Sequence, residues 1–163
     1  GAQALNETVP RGMALLGASE QLQIVHQAGE QQLEALKANY AALGVAAHCV
    51  SFIEDMAGAY EWADLVISRS GALTVAELAA AGVASILVPF PHAVDDHQTA
   101  NARFLVNAGG AVLLPQGELT ADAIALIRNY SRGQLLEMAE KARSLARPDA
   151  AEKLAHICLW VAK

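Results

Sequence analysis

Between Asp64 and Gly82 the chain reads DLVISRSGALTVAELAAAG, an apolar run of strand type, then a turn of small residues, Arg69-Ser70-Gly71-Ala72, and a helical pattern opening at Thr74. A glycine in such a turn lets a ligand come close to the backbone. The free amides of a helix N-terminus, with the positive end of the helix dipole, then face an anion such as a diphosphate. Glu77 lies one helical turn further in, where a carboxylate can accept hydrogen bonds from the two hydroxyls of a ribose. The same spacing also fits a capping box between Thr74 and Glu77, with Gly71 serving only a tight turn. Both readings stay open on these residues alone.

Val88 to Ala102, VPFPHAVDDHQTANA, leaves a strand through a proline-stiffened loop and crowds His92, Asp95, Asp96, His97, Gln98 and Asn101 together. A side-chain amide such as that of Gln98 donates and accepts at once, which suits sugar hydroxyls and an acetamido group. A hydrated loop with Asp95 or Asp96 capping the next helix accounts for the same residues. No regular i, i+4 ligand pair accompanies the histidines, so no metal site is expected. In the third stretch, SFIEDMAGAYEWAD from Ser51 to Asp64, Phe52 and Ile53 can cover a planar base while the Ile53 backbone reads its edge, or can be ordinary core and rim residues. His26-Gln27-Ala28-Gly29 is a similar case. His48 reads as a loop residue and His156 as a helix-face residue. There is no Ser/His/Asp or Cys/His set at recognisable spacing, no GxGxxG after a strand and no GxxxxGK[ST] loop, which argues against hydrolase, dehydrogenase and P-loop chemistry.

The elements that must hold these residues alternate. Strand-type runs recur at Leu22 to His26, Cys49 to Phe52, Leu65 to Ser68, Ser85 to Phe90 and Ala111 to Leu114, each followed by helical periodicity. Continuous apolar strands imply a sheet covered on both faces, so the expected fold class is α/β, a doubly wound, Rossmann-like parallel sheet with right-handed crossovers. Ligands then bind outside the carboxyl ends of the strands, where all three stretches lie. Thr74 with Glu77, Ser131 with Gln134 and Asp149 with Glu152 match the capping-box spacing. Three helical patterns, at Ala121 to Tyr130, Gln134 to Leu145 and Ala150 to Val161, close the chain.

With 163 residues, 54% of them hydrophobic, the chain suits one domain spanning residues 1–163. A net charge of -6, a pI near 5.3 and 5% aromatic content argue against a nucleic-acid partner. Cys49 and Cys158 sit in apolar stretches far apart and read as buried free thiols of a reducing, cytoplasmic compartment. No run reaches the roughly 18 apolar residues that span a bilayer, and the start lacks the layout of a signal peptide. A helical pattern begins at once with no opening strand, as expected of a domain cut from a longer chain.

Taken together, SFIEDMAGAYEWADLVISRSGALTVAELAAAG, VPFPHAVDDHQTANA and NAGGA closely resemble the carboxyl-terminal domain of the MurG family of bacterial glycosyltransferases. The resemblance runs the length of the chain, with RSGALTVAE its most specific part and GAQALNETVP resembling the end of the family's glycine-rich GGSxGA loop. It implies the carboxyl-terminal half of a GT-B fold, binding UDP-N-acetylglucosamine, while an absent amino-terminal domain holds the lipid-linked acceptor. The implied reaction is inverting transfer of N-acetylglucosamine to lipid I, giving lipid II for peptidoglycan. Carried onto this sequence, Ile53 contacts uracil, Ala72, Leu73 and Thr74 the phosphates and sugar, and Glu77 the ribose hydroxyls, with Ser70 and Gly71 of the same turn counted among the UDP-N-acetylglucosamine-binding residues. Gln98 takes the N-acetylglucosamine, flanked by Asn101 and by His97, which stands where the family commonly has a glutamine.

The resemblance calls for no cofactor and no metal, since helix-end amides can stabilise the departing UDP. It places no catalytic residue in this chain, leaves the fragment inactive alone and implies no stable oligomer. The full-length protein would be peripheral on the cytoplasmic face of the bacterial inner membrane. A related GT-B enzyme such as a UDP-N-acetylglucosamine 2-epimerase, and a non-catalytic α/β binding module, are the competing expectations.

Overall fold

The computed structural model describes residues 3–17, 22–91 and 96–148. Helix α1 (Gln3–Leu16) leads into strand β1 (Val25–Gln27), α2 (Leu33–Ala42), β2 (His48–Val50), α3 (Met56–Trp62), β3 (Leu65–Ser68), α4 (Ala72–Ala81) and β4 (Ala84–Leu87). After these come α5 (His97–Val106), β5 (Ala111–Leu113), α6 (Ala121–Ala125) and α7 (Arg132–Ser144). Among the described residues every pairing is parallel: β1 with β2 in one ladder, and β3, β4 and β5 in another with β4 in the middle. Both ladders rest on one apolar layer, in which Leu5, Val9 and Met13 of α1, Leu36 and Tyr40 of α2 and Ile124 of α6 meet Ile86 and Val88. Ile24 and Cys49 pack on that layer from one ladder, Leu65, Ile67 and Val112 from the other.

The opposite face of β4 presents Leu87 to a second layer built from Tyr60 of α3, Val75 and Leu78 of α4, Leu105 of α5 and Ala142 of α7. Helices thus cover both faces, the doubly wound arrangement that continuous apolar strands call for. Each fully buried Leu or Ile in these layers contributes about 1.5–3 kcal/mol of transfer free energy.

Some expectations shift. Among the described residues only β4 is buried along its whole length; β1 exposes Val25 and Gln27. The first ladder opens at Val25, not Leu22, because its partner begins with His48. His48 is therefore an exposed strand residue and not a loop residue. Cys49 is free but only half-buried, and burial pushes its thiol pKa up. The pattern at 121–130 divides into α6 and a 3-10 turn, while the Ser131–Gln134 capping box is formed on both sides and α7 starts at Arg132. His92, Asp95, the Asp149–Glu152 pair, His156, Cys158 and the third closing helix lie outside the described residues.

Candidate functional site

Because the strands of each ladder are parallel, their carboxyl ends share one edge of that ladder. Gln27 ends β1, Ile53 follows β2, Arg69 to Thr74 follow β3, Gln98 and Asn101 follow β4, and Gln116 follows β5. The β3–α4 turn is the best-braced of these exits. Ser70 is fully buried; its hydroxyl donates to the Gln98 carbonyl at 2.8 Å, and its own carbonyl accepts from Asn101 Nδ2 at 3.2 Å. Gln98 Oε1 in turn accepts from the Phe90 amide at 3.0 Å. Arg69 donates to the carbonyls of Val88 (3.2 Å) and Pro89 (3.1 Å) and to Gln116 Oε1 (2.6 Å), with its guanidinium 5.4 Å from the Phe90 ring centroid. Burial lowers the Arg69 pKa from its ordinary range. Three strand exits are thereby fastened to one another before any ligand arrives.

Helix α4 begins at Ala72, two residues earlier than the Thr74 start read from the sequence, with Gly71 as its N-cap and no side-chain cap. The Thr74–Glu77 capping box is therefore not formed: Thr74 already lies in the first turn, where the box needs it one position before the helix. The first helical hydrogen bond runs from the Val75 amide to the Gly71 carbonyl at 2.9 Å, so the amides of Ala72, Leu73 and Thr74 precede the ladder. The Leu73 side chain is 79% exposed beside them.

Gly71 is not a strained turn either. Its φ is −61°, and a Cβ built there would meet only Thr74 Oγ1, at an ordinary 3.7 Å. The fold accepts a side chain at this position.

Glu77, exposed one turn further along, accepts from the Tyr60 hydroxyl at 3.1 Å through Oε2. The Tyr60 ring is buried against α4, and burial, this hydrogen bond and the Glu77 charge push its pKa up to about 12, so it stays a donor. Tyr60 was not singled out from the sequence, since its partner lies 17 residues away. Arg69 and Gln116 were likewise not singled out for their tethering role.

At the β1 and β2 exits the backbone pairing continues past the strands, Ala28 N–H to Val50 at 2.9 Å and Gly29 N–H to Ser51 at 3.1 Å. The Ile53 amide then donates to the side chain of Gln27, Oε1, at 3.1 Å. Phe52 beside it is 67% exposed, an uncovered aromatic next to a backbone donor. Behind Gln27 a polar chain joins three elements: Tyr40 OH lies 2.9 Å from His26 Nδ1, His26 Nε2 lies 3.1 Å from Asn6 Oδ1, and Asn6 Nδ2 donates to the Ala28 carbonyl at 3.3 Å. That orientation of Asn6 assigns the proton to His26 Nε2 and leaves Nδ1 to accept from Tyr40. Burial lowers the His26 pKa to about 4.

The ten site residues expected from sequence therefore fall into two groups, one at the strand exits of each ladder. Ser70, Gly71, Ala72, Leu73, Thr74, Glu77, His97, Gln98 and Asn101 belong to the braced β3–α4 and α5 group, and Ile53 to the β2 exit. Ser70, Asn101 and the oxygen of Gln98 are committed to internal hydrogen bonds; His97 is exposed at the start of α5. Among the described residues no group of three or more His, Cys, Asp or Glu could hold a metal ion, and no helix is long and apolar enough to cross a membrane.

Comparison with known proteins bears on these exits. Residues 1–154 match the family model described as the glycosyltransferase family 28 C-terminal domain. The chain is 81% identical over its whole length to a Dechloromonas aromatica protein named UDP-N-acetylglucosamine--N-acetylmuramyl-(pentapeptide) pyrophosphoryl-undecaprenol N-acetylglucosamine transferase, of which it covers 46%. It is 60% identical over 97% of its length to the Azoarcus sp. protein of the same name, covering 45% of that protein. The fold superposes on the crystal structure of Acinetobacter baumannii MurG with a TM-score of 0.87 and 46% identity, over 96% of this chain and 46% of that one. The chain spans about half the length of the curated relatives it matches. The resemblance drawn from its motifs is borne out, as is the α/β fold it implied.

Proposed function

The chain belongs to the glycosyltransferase family 28 C-terminal domain family, and from that premise we propose that it is the donor-binding half of an inverting N-acetylglucosaminyltransferase, holding UDP-N-acetylglucosamine. The observation that carries this reading is the pairing of three pre-ladder amides behind the Gly71 N-cap with a carboxylate one turn further on. The amides of Ala72, Leu73 and Thr74 take the diphosphate, reinforced by the α4 dipole. Glu77, pre-oriented by Tyr60, accepts from the ribose hydroxyls, and the Ile53 backbone reads the uracil edge beside Phe52. Gln98 spends its oxygen on Phe90, which leaves its NH2 as the group that meets the acetamido sugar.

In the full-length protein the sugar passes to lipid I, giving lipid II, and the negative charge growing on the departing UDP meets amides already aimed at it. Such preorganised donors cost no reorganisation as charge develops. The acceptor and the group that deprotonates it belong to an amino-terminal domain, which also supplies contact with the cytoplasmic face of the membrane. The 163-residue chain alone binds donor and transfers nothing. The names of the relatives support this substrate assignment, and no feature of the strand exits favours the epimerase or a non-catalytic module.

Titration calorimetry of the chain with UDP-N-acetylglucosamine, UDP-glucose and a GDP-sugar tests the proposal. Uridine ligands should bind and the GDP-sugar should not, with Glu77→Ala weakening the former by roughly 10- to 100-fold, the loss of hydrogen bonds to a charged acceptor. Equal response to every nucleotide would overturn it.

A further inference from the structure

The Ile53 amide carries one hydrogen, and in the free protein that hydrogen is already given to Gln27 Oε1 at 3.1 Å. A primary carboxamide presents the same acceptor as the carbonyl edge of a pyrimidine imide. Gln27 is an exposed side chain on the last residue of β1, so it can rotate away into water without disturbing the core. Its backbone is fixed: the adjoining His26 is held from both ring nitrogens, and Ala28 is tied to Val50. Phe52, 67% exposed, leaves an apolar surface beside the same amide. The contrast with the β3 exit is direct, since there the amides precede the helix ladder, whereas here the donor is satisfied internally.

We infer that Gln27 is an internal competitor for the Ile53 amide, a stand-in for the base carbonyl that a uracil nucleotide must displace to use that donor. This rests on the reading of Ile53 as the base-edge donor. Only a base that returns a carbonyl oxygen to the amide restores the lost hydrogen bond, so uracil displaces Gln27 on even terms. Cytosine, presenting an amino group at the corresponding edge, makes no bond to the amide and leaves Gln27 in place. The closed arrangement lowers apparent affinity by the fraction of molecules in which the amide is open.

The test is calorimetry of the 163-residue chain and its Gln27→Ala and Gln27→Glu variants with UDP and CDP, with amide hydrogen exchange at Ile53 in the absence of nucleotide. Gln27→Ala should exchange the Ile53 amide faster and bind UDP about 2- to 10-fold tighter, the equilibrium weight of one neutral hydrogen bond. CDP binding should not change. Gln27→Glu should bind UDP more weakly than the parent, because a carboxylate holds the amide more strongly. Weaker UDP binding by Gln27→Ala, an equal gain for CDP, or unchanged exchange at Ile53 would each overturn the inference while leaving the donor-binding reading intact. Failure of the parent chain to bind any uridine nucleotide would remove both.

Discussion

Gly71 and Gly110 are both glycines beside a strand of the three-stranded ladder, and a side chain would do opposite things at the two places. At Gly110 a Cβ would stand 2.8 Å from the backbone of Ala142 in α7, a wall that cannot give. At Gly12 it would land on Ile124 where α1 crosses α6. At Gly71 it would touch nothing closer than 3.7 Å, and the backbone has an ordinary φ. The packing glycines are explained by the fold. Gly71 meets no such wall: it is the N-cap of α4, a position that glycine fills well, and the room beside it is what the proposed donor site uses.

The comparison can be broken first at its packing end. Gly110→Ala should cost about 3 kcal/mol in urea unfolding, the upper part of the range for overpacking, because the obstruction is main chain. A change under about 0.5 kcal/mol would show that α7 can retreat and that the contrast is false. Gly71→Ala should cost far less, staying within about 0.5 kcal/mol of the parent, because the lost N-cap preference for glycine offsets the gain made through the unfolded state. Binding of UDP should fall about thirtyfold, about 2 kcal/mol. A larger loss of stability in that variant would return Gly71 to the packing class.

Acid should separate the two regions again. The His26 pKa is lowered from 6.5 to about 4 in the folded chain by burial. The unfolded chain therefore binds a proton below pH 6.5 that the folded chain refuses, so the stability is full above 6.5 and is lost as pH falls towards 4. The difference corresponds to at most about 3 kcal/mol, and about 2 kcal/mol after allowance for partial solvent screening of the ring. His26→Asn should flatten the stability profile in that window; an unchanged slope would remove His26 as its source.

The smallest effect belongs to the hydroxyl behind Glu77. Tyr60→Phe keeps the ring in the α4 layer and removes only the donor to Oε2. It should weaken UDP about fivefold, about 1 kcal/mol, and leave 2′,3′-dideoxy-UDP unaffected. Equal weakening of both would mean a packing defect and not a positioning role.

How much of this was readable beforehand follows from how local each feature is. Strand β3 and the Ser131–Gln134 box emerged at their expected residues because both are decided by neighbours a few positions away. The Thr74–Glu77 box had the same spacing and did not form, since the helix starts two residues earlier at Ala72 and carries Thr74 past the capping position. The start of β1 moved because a strand begins where its partner does, and His48 is far off in sequence. The hydrogen bonds that decide the site, Gln27 to Ile53 across 26 residues and Tyr60 to Glu77 across 17, have no local signature at all. The sequence marked Gly71, Glu77 and Ile53 as chemistry; the groups that hold them in readiness became visible only in the folded chain.

The most direct test follows the amide protons of Ala72, Leu73 and Thr74 by NMR while UDP, and separately uridine, is added. UDP should shift these three strongly downfield through charge-assisted hydrogen bonds to phosphate, and uridine should leave them nearly unmoved. Shifts of the same size with both ligands, or none with UDP, would contradict the assignment of the α4 N-terminus as the diphosphate cradle.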